Sequence, residues 1–198
     1  MCIRDSVSSL KFRVSILVIL AVVLTGAIML LIVVPEAESA IQTETEHYMH
    51  DMVTANGISL DQFIAAGNLN NKISMKNTFG NVALQGVDSS YAYIVSGSDG
   101  MMLCHPEGEK VGQPVENARI KKVVEDIQMG SRPETSVVEY KYKGTAKMAA
   151  YYVTKKEPTV LVITADKDDI LAPINNMIKT GVVAFAIVVV IFAFLAAF

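Results

Sequence analysis

Two long uncharged apolar runs restrict this chain more severely than anything else in its sequence. The first extends from Val14 to Val34 (VSILVILAVVLTGAIMLLIVV) and the second from Thr180 to Phe198 (TGVVAFAIVVVIFAFLAAF). A helix rises about 1.5 Å per residue, so about 20 such residues span a bilayer core about 30 Å thick. Neither run carries the polar face that a helix of a soluble protein turns to water. The chain therefore reads as a membrane protein with two crossings, residues 14–34 and 178–198. Lys11 and Arg13 precede the first run as the n-region of a signal peptide does. Its length exceeds a usual h-region, however, and no small-x-small site precedes Pro35 and Glu36, which favours an uncleaved anchor.

Flanking charge orients the anchor. Arg4, Lys11 and Arg13 lie before it and Glu36, Glu38 and Glu44 after it, so residues 1–13 are expected in the cytoplasm and residues 35–177 outside. Lys179 falls at the outer end of the second run, where its stem can reach back to the interface. The run is still apolar at Phe198, and the chain reads as the N-terminal piece of a longer receptor. Residues 1–6 (MCIRDS) resemble a translated sequencing adaptor; Lys11 and Arg13 orient the anchor without Arg4, and without Cys2 the chain has Cys104 alone.

The hydrophobic fraction of 52% and mean hydropathy of +0.38 are high for a soluble protein, and the two runs supply much of the excess. Between Glu36 and Met177 there are 19 acidic and 13 basic residues, a net charge of −6. That balance argues against nucleic acid and against an anionic membrane surface as partners. Cys2 and Cys104 would lie on opposite sides of the membrane, so the outer segment is expected to fold without a disulfide. About 140 residues suffice for one modest core.

The outer segment reads as helix first and sheet second, an α+β arrangement. Over residues 36–87, Ile41, Tyr48, Met52, Phe63 and Ile64 recur at helical separations. Asn56-Gly57 and the run Gly67 to Asn71 predict interruptions, giving two or three helices, with Ser59 and Gln62 as a capping box at a restart. Over residues 90–166 the period becomes alternating. Tyr91 to Ser96 and Met101 to His105 form a hairpin around Ser98-Asp99-Gly100, and a Gly/Pro loop leads to a helix from Asn117 to Met129. Ser136 to Lys143 and Thr145 to Thr154 form a second hairpin about Gly144. The apolar run Thr159 to Thr164 reads as a central strand covered on both faces. A helix from Asp166 then leads into the second span, with a hinge expected at Ala172-Pro173.

The block YAYIVSGSDGMMLCHPEGEKVGQPVEN, followed by a helix, VVEYKYKGTAKMAAYYV and TVLVITADKDDILAPI, resembles a Cache domain. This is the extracytoplasmic, PAS-like sensor module of bacterial methyl-accepting chemotaxis receptors. The resemblance covers about Ser90 to Ile174 and rests on Asp99-Gly100, His105-Pro106 and Gly112 in that order. It implies a single Cache unit with an N-terminal helical stalk and a five-stranded antiparallel sheet. It also implies a multi-pass protein of the bacterial inner membrane, a homodimer packed along Ile41, Tyr48 and Met52, and a small organic ligand, either a carboxylate or an amino-acid-like compound. The tryptophan-containing arginine signature of double Cache domains that bind amino acids is absent.

Several residues are candidates for the ligand site. His105 either ends its strand with Pro106 or reaches a pocket. Tyr93 and Tyr151 belong to a set with Tyr91, Tyr140, Tyr142 and Tyr152 in which each ring is either core or a pocket donor. Arg119 opens the helix after the loop and suits bidentate capture of a carboxylate, or else a surface ion pair. Lys147 shares a strand face with Ala149 and Tyr151 and is a second cation, while Asp166 either binds a ligand amine or caps a helix. Cys104 and His105 are strand neighbours that point apart, and His47 and His50 read as solvated helix surface, so no metal site is expected. With no nucleophile elbow and no phosphate loop, neither an enzyme nor a cofactor is expected. The leading function is ligand sensing by a chemoreceptor. The same sensor feeding a histidine kinase or a cyclic-dinucleotide cyclase, and a ligand-free membrane tether, are the alternatives.

Overall fold

The computed structural model describes residues 3–197 and separates into two compact units, Met1–Ile41 with Leu171–Phe198, and Gln42–Ile170. Cys2, with the pairing question it raises, lies outside the described residues, as do Met1 and Phe198.

The first unit is helical. Helix α1 (Ile3–Ile28) passes through one π-helical turn, Met29–Val33, into α2 (Val34–Ala65), and α6 (Ala172–Ala197) is its other long helix. Arg13–Ala65 and Ala172–Phe194 each contain a stretch long and apolar enough to cross a membrane. Their large apolar side chains are turned outward, Leu31 being 76% and Val190 67% exposed. Where α1 meets α6, Gly26 lies under the ring of Phe185; a Cβ there would come within 2.3 Å of the ring. Close approach through a small residue is how apolar helices pack where water supplies no driving force.

The second unit continues α2 and adds α3 (Lys72–Phe79), β1 (Tyr91–Ser96), β2 (Met102–Cys104), α4 (Ala118–Gln128), β3 (Ser136–Tyr142), β4 (Thr145–Val153), β5 (Thr159–Asp166) and α5 (Lys167–Ile170). The strands form one antiparallel sheet in the order β2-β1-β5-β4-β3. Strand β5 is central and buried from Thr159 to Ala165, as a continuous apolar run requires. Lys143 and Gly144 both take positive φ, 48° and 88°, the two-residue turn whose twist matches a hairpin.

Pairing register assigns the faces. Tyr91, Tyr93 and Val95 of β1 stand with Val160, Val162, Thr164 and Asp166 of β5 and with Lys147, Ala149 and Tyr151 of β4. The amphipathic helix α4 covers the apolar end of this face through Ile120, Val123 and Val124. The opposite face carries Ala92, Ile94, Met148, Ala150, Tyr152, Leu161 and Ile163, all buried. Helix α2 meets it at Tyr152, its own buried stripe being Met49, Val53, Gly57, Leu60 and Ile64.

That packing explains one departure from the sequence reading. No break occurs at Asn56-Gly57, because α2 runs through it to Ala65. Gly57 serves close approach: a Cβ would sit 2.3 Å from the Tyr152 ring, whose hydroxyl donates to Asp61 Oδ2 at 2.8 Å. Ser59 accordingly does not cap a helix, and its hydroxyl donates to the Ala55 carbonyl within α2. The interruption near Gly67 does occur, with Gly67 at φ 78° and Asn71 capping α3 by accepting from Ser74 N–H at 3.0 Å. Strand β2 is shorter than Met101 to His105. Met101 bridges instead to Pro114, and Cys104 is the last strand residue before His105-Pro106. The chain changes helix at Leu171, next to the expected hinge.

Candidate functional site

Alternation along β1 and β3 places Tyr91, Tyr93, Tyr140 and Tyr142 on one face of the sheet, with Tyr93 inside the core that α4 covers and Tyr91 and Tyr140 packed against that core. Opposite them runs the segment from His105 to Asn117, drawn in by buried Val115 and by Val115 N–H donating to the Gly100 carbonyl at 2.9 Å. Between sheet and loop lies a small cleft lined by these four tyrosines with Met102, His105, Lys110, Val115, Glu116 and Asn117. Its open volume of about 20 Å³ holds about one water molecule.

The rings form a cluster. The His105 imidazole lies 5.2 Å from Tyr91 edge-on and 5.8 Å from Tyr93, and Tyr91 and Tyr93 are 6.1 Å apart. His105 Nδ1 accepts from Glu107 N–H at 3.0 Å, which in the neutral ring puts the proton on Nε2. Burial, reinforced by Lys110, pushes His105 below the ordinary imidazole pKa, so that the neutral ring is favoured. Asn117 donates to the Tyr93 hydroxyl at 3.4 Å while its carbonyl caps α4 through Arg119 N–H and Ile120 N–H.

Burial also raises the phenols of Tyr91, Tyr93 and Tyr140, which holds them protonated. Tyr140 shares a 2.9 Å hydrogen bond with Thr164 Oγ1. Because Thr164 donates its own proton to the Met148 carbonyl at 2.8 Å, Tyr140 is the donor in that pair. Tyr142 donates to Glu116, whose carboxyl this bond lowers below its usual range. Burial acts to lower Lys110, but Tyr142 and Glu107 outweigh it and raise its pKa.

The sequence candidates divide. Tyr93 and His105 line the cleft. Lys147 and Asp166, directly opposite each other on β4 and β5, form an ion pair beside it, with Lys147 Nζ 5.8 Å from the centre of the Tyr91 ring. Tyr151 lies instead in the apolar core with Val123 and Val124 of α4. Arg119 is exposed on the first turn of α4 and does not line the cleft. The structure adds Lys110, Glu116 and Asn117, which no strand periodicity marks because they lie on the loop and the helix cap. Asn117 was legible only as the start of a helix, which begins at Ala118 with Asn117 as its cap. Among the described residues, no group of three His, Cys, Asp or Glu side chains is placed to hold a metal.

No family model matches the chain, and no curated protein matches it. Similar solved structures include the extracellular domain of mmHK1S-Z2, described as a histidine kinase: 22% identity, 50% of this chain, 38% of that chain and a TM-score of 0.41. The ligand-binding domain of Mlp24 with asparagine is 16% identical, over 52% of this chain and 38% of that chain, with a TM-score of 0.38. The ligand-binding domain of the Pseudomonas aeruginosa PAO1 chemoreceptor PctB with L-Arg is 21% identical, over 48% and 37%, with a TM-score of 0.34. The chain thus spans under two fifths of the length of these structures. With helices ahead of a five-stranded antiparallel sheet and an apolar helix at either end, the chain has an α+β build.

Proposed function

We propose that this chain is the sensor part of a chemoreceptor, held in the bacterial inner membrane by two helices, with residues 35–177 outside the cell. A small organic solute binds between the sheet and the segment from His105 to Asn117, which must move outward to admit anything larger than a water molecule. The observation that carries this reading is the convergence there of four phenols, an imidazole, an amide and a lysine on one small opening.

Signal transfer follows from connectivity. Asp166 ends β5 beside the cleft, α5 follows at once, and Leu171 joins α5 to the apolar α6. The backbone on this path is tied to the loop before β1, with Asp166 N–H donating to Ser89 Oγ and Ser89 N–H to Asp169 Oδ2, both at 3.0 Å. A ligand that binds two arrangements of this junction unequally shifts their populations, and only by that difference in affinity. The protein acts as a homodimer along α2, where Tyr48 is 50% exposed, and it performs no catalysis.

Thermal melting of the full chain in lipid nanodiscs, against a panel of organic acids, amino acids, amines and purines, tests the proposal. A ligand at about 100 times its Kd adds about 2.7 kcal/mol of stability, a shift of several degrees. His105→Gln and Tyr93→Phe are expected to weaken the response, and Arg119→Ala to leave it unchanged. A folded chain that no solute stabilises would favour a tether. Sedimentation of Tyr48→Glu tests the dimer separately, and an unchanged dimer would place the interface elsewhere.

A further inference from the structure

The segment that roofs the cleft falls into two parts that the chain holds very differently. Residues 112–117 are fastened to the sheet. Gly112 N–H donates to the Met102 carbonyl at 2.8 Å, Met102 N–H to the Gln113 carbonyl at 2.9 Å, and Val115 N–H to the Gly100 carbonyl at 2.9 Å. Pro114 bridges to Met101, Asn117 caps α4, and Glu116 accepts from the Tyr142 hydroxyl. Residues 106–111 have no such backbone fastening. Among the described residues, their backbone hydrogen bonds all close within residues 105–113. Glu107 N–H donates to His105 Nδ1 at 3.0 Å and Lys110 N–H to the Glu107 carbonyl at 3.0 Å. Val111 N–H donates to the Gly108 carbonyl at 3.2 Å and Gln113 N–H to the Lys110 carbonyl at 3.0 Å. None of residues 106–111 is buried. A short stretch with few buried contacts and self-contained hydrogen bonds opens at a small cost in free energy. Its ends are firm: His105 is buried against Tyr91 and Tyr93, and Gly112, at φ 83°, is tied to Met102.

We infer that residues 106–111 form a flap over the cleft and that Lys110 is its latch, holding it shut by resting on the ring of Tyr142. Among the described residues, Lys110 supplies the flap's side-chain tie to the sheet, its Nζ lying 5.5 Å from the centre of the Tyr142 ring on β3. Glu107, 3.4 Å from the same ammonium, belongs to the flap, so that ion pair stiffens the flap without fastening it. Lys110 lines the cleft and the other flap residues do not, so lifting the flap removes one wall and leaves Glu116 and Asn117 in place. A cation over a phenol is a weak contact outside a dry interior, which suits a latch that must release. This inference rests on the sensing function proposed above, for which it supplies the outward movement that a solute requires.

Thiol labelling of the full chain in nanodiscs tests the latch without any ligand. Val115→Cys places a thiol in the cleft wall at a position 3% exposed, and native Cys104, 4% exposed in β2, reports any wider loosening. A neutral methanethiosulfonate, larger than a water molecule, reaches residue 115 when the flap is open, so its labelling rate scales with the open population. Lys110→Met keeps an apolar stem without the charge and should raise the rate at residue 115 roughly twofold to fivefold, with Cys104 unchanged. Lys110→Arg should retain the parent rate. Lys143→Met is the control: Lys143 lies over the same ring at 5.1 Å but sits on the turn between β3 and β4, so the rate should not change. In a Tyr142→Leu background, Lys110→Met should add nothing further. If Val115→Cys does not fold, Met102→Cys, also in the cleft wall, takes its place. Equal rates with and without the Lys110 charge, or a rise at Cys104 matching that at residue 115, overturn the latch. An opening flap in a chain that no solute stabilises upholds the latch and counts against sensing alone.

Discussion

The two faces of the sheet are built from the same strands and meet opposite demands. On the face toward α2, Ala92, Ile94, Met148, Ala150, Leu161 and Ile163 are buried to 1% exposure or less, and the polar tip of Tyr152 is satisfied by Asp61. On the other face, apolar Val95, Val160 and Val162 under α4 give way to Tyr91, Tyr140, Lys147, Thr164 and Asp166 beside the cleft. An unpaired buried donor or acceptor costs about 1–3 kcal/mol, and there Tyr140 is paired with Thr164 and Lys147 with Asp166. The first face is held by area removed from water, the second by a network of partners. Stability is thus concentrated on one side, and the other is the side to which the proposal above assigns recognition.

This contrast predicts a gradient of mutational effects. The largest lies on the helix-covered face. Leu161→Ala, at a fully buried site, should cost about 2–5 kcal/mol in urea unfolding, because the lost transfer energy is joined by a cavity. A cost as small as that of Tyr140→Phe would erase the distinction between the faces. Gly57→Ala should follow at about 1–3 kcal/mol despite the better helix propensity of alanine, since its methyl must displace the Tyr152 ring. Combining it with Tyr152→Ala should recover part of the loss; a simple sum of the two costs would show that the overlap does not matter.

On the cleft face, Tyr140→Phe should cost about 0.5–1.5 kcal/mol by removing one hydrogen bond to Thr164, with a larger relative effect on ligand affinity. A pH effect belongs to the same side. His105 has its pKa lowered in the folded chain, so above about pH 6.5 the ring is neutral folded or unfolded and contributes no pH dependence. Below that, the unfolded chain takes up the proton first, and stability falls until the folded-state pKa is passed. His105→Gln should flatten this part of the profile of melting temperature against pH, and an unaltered profile would assign the acid sensitivity to other groups. The smallest effect is expected at Arg119→Ala, an exposed position, within about 0.5 kcal/mol.

Much of this architecture was legible in the residues alone. Charge-free runs of about 20 residues mark helices suited to a bilayer, and alternation at Ser136 to Tyr142 marks a strand whose two faces differ in exposure. The TVLVIT run could be read as a central strand because only a strand covered on both faces abandons alternation. Local reading failed where a residue's role depended on something far along the chain. Asn56-Gly57 reads as a break by propensity, yet it lies inside α2, because Tyr152, 95 positions on, needs the space that a missing Cβ leaves. Arg119 and Tyr151 looked as suitable for a ligand as His105 and Tyr93.

Sequence by itself determined which segments are apolar along their length, which alternate and where the chain must turn, because these depend on neighbours a few residues apart. Tertiary structure alone decided which polar groups share a cleft and which of them are already spent. Lys147 and Asp166 are 19 positions apart, Tyr142 and Glu116 are 26 apart, and only strand register and the fold of the loop bring each pair within reach. A hydrogen bond is decided over a few tenths of an ångström, a precision that no spacing in a sequence encodes until the sheet has formed.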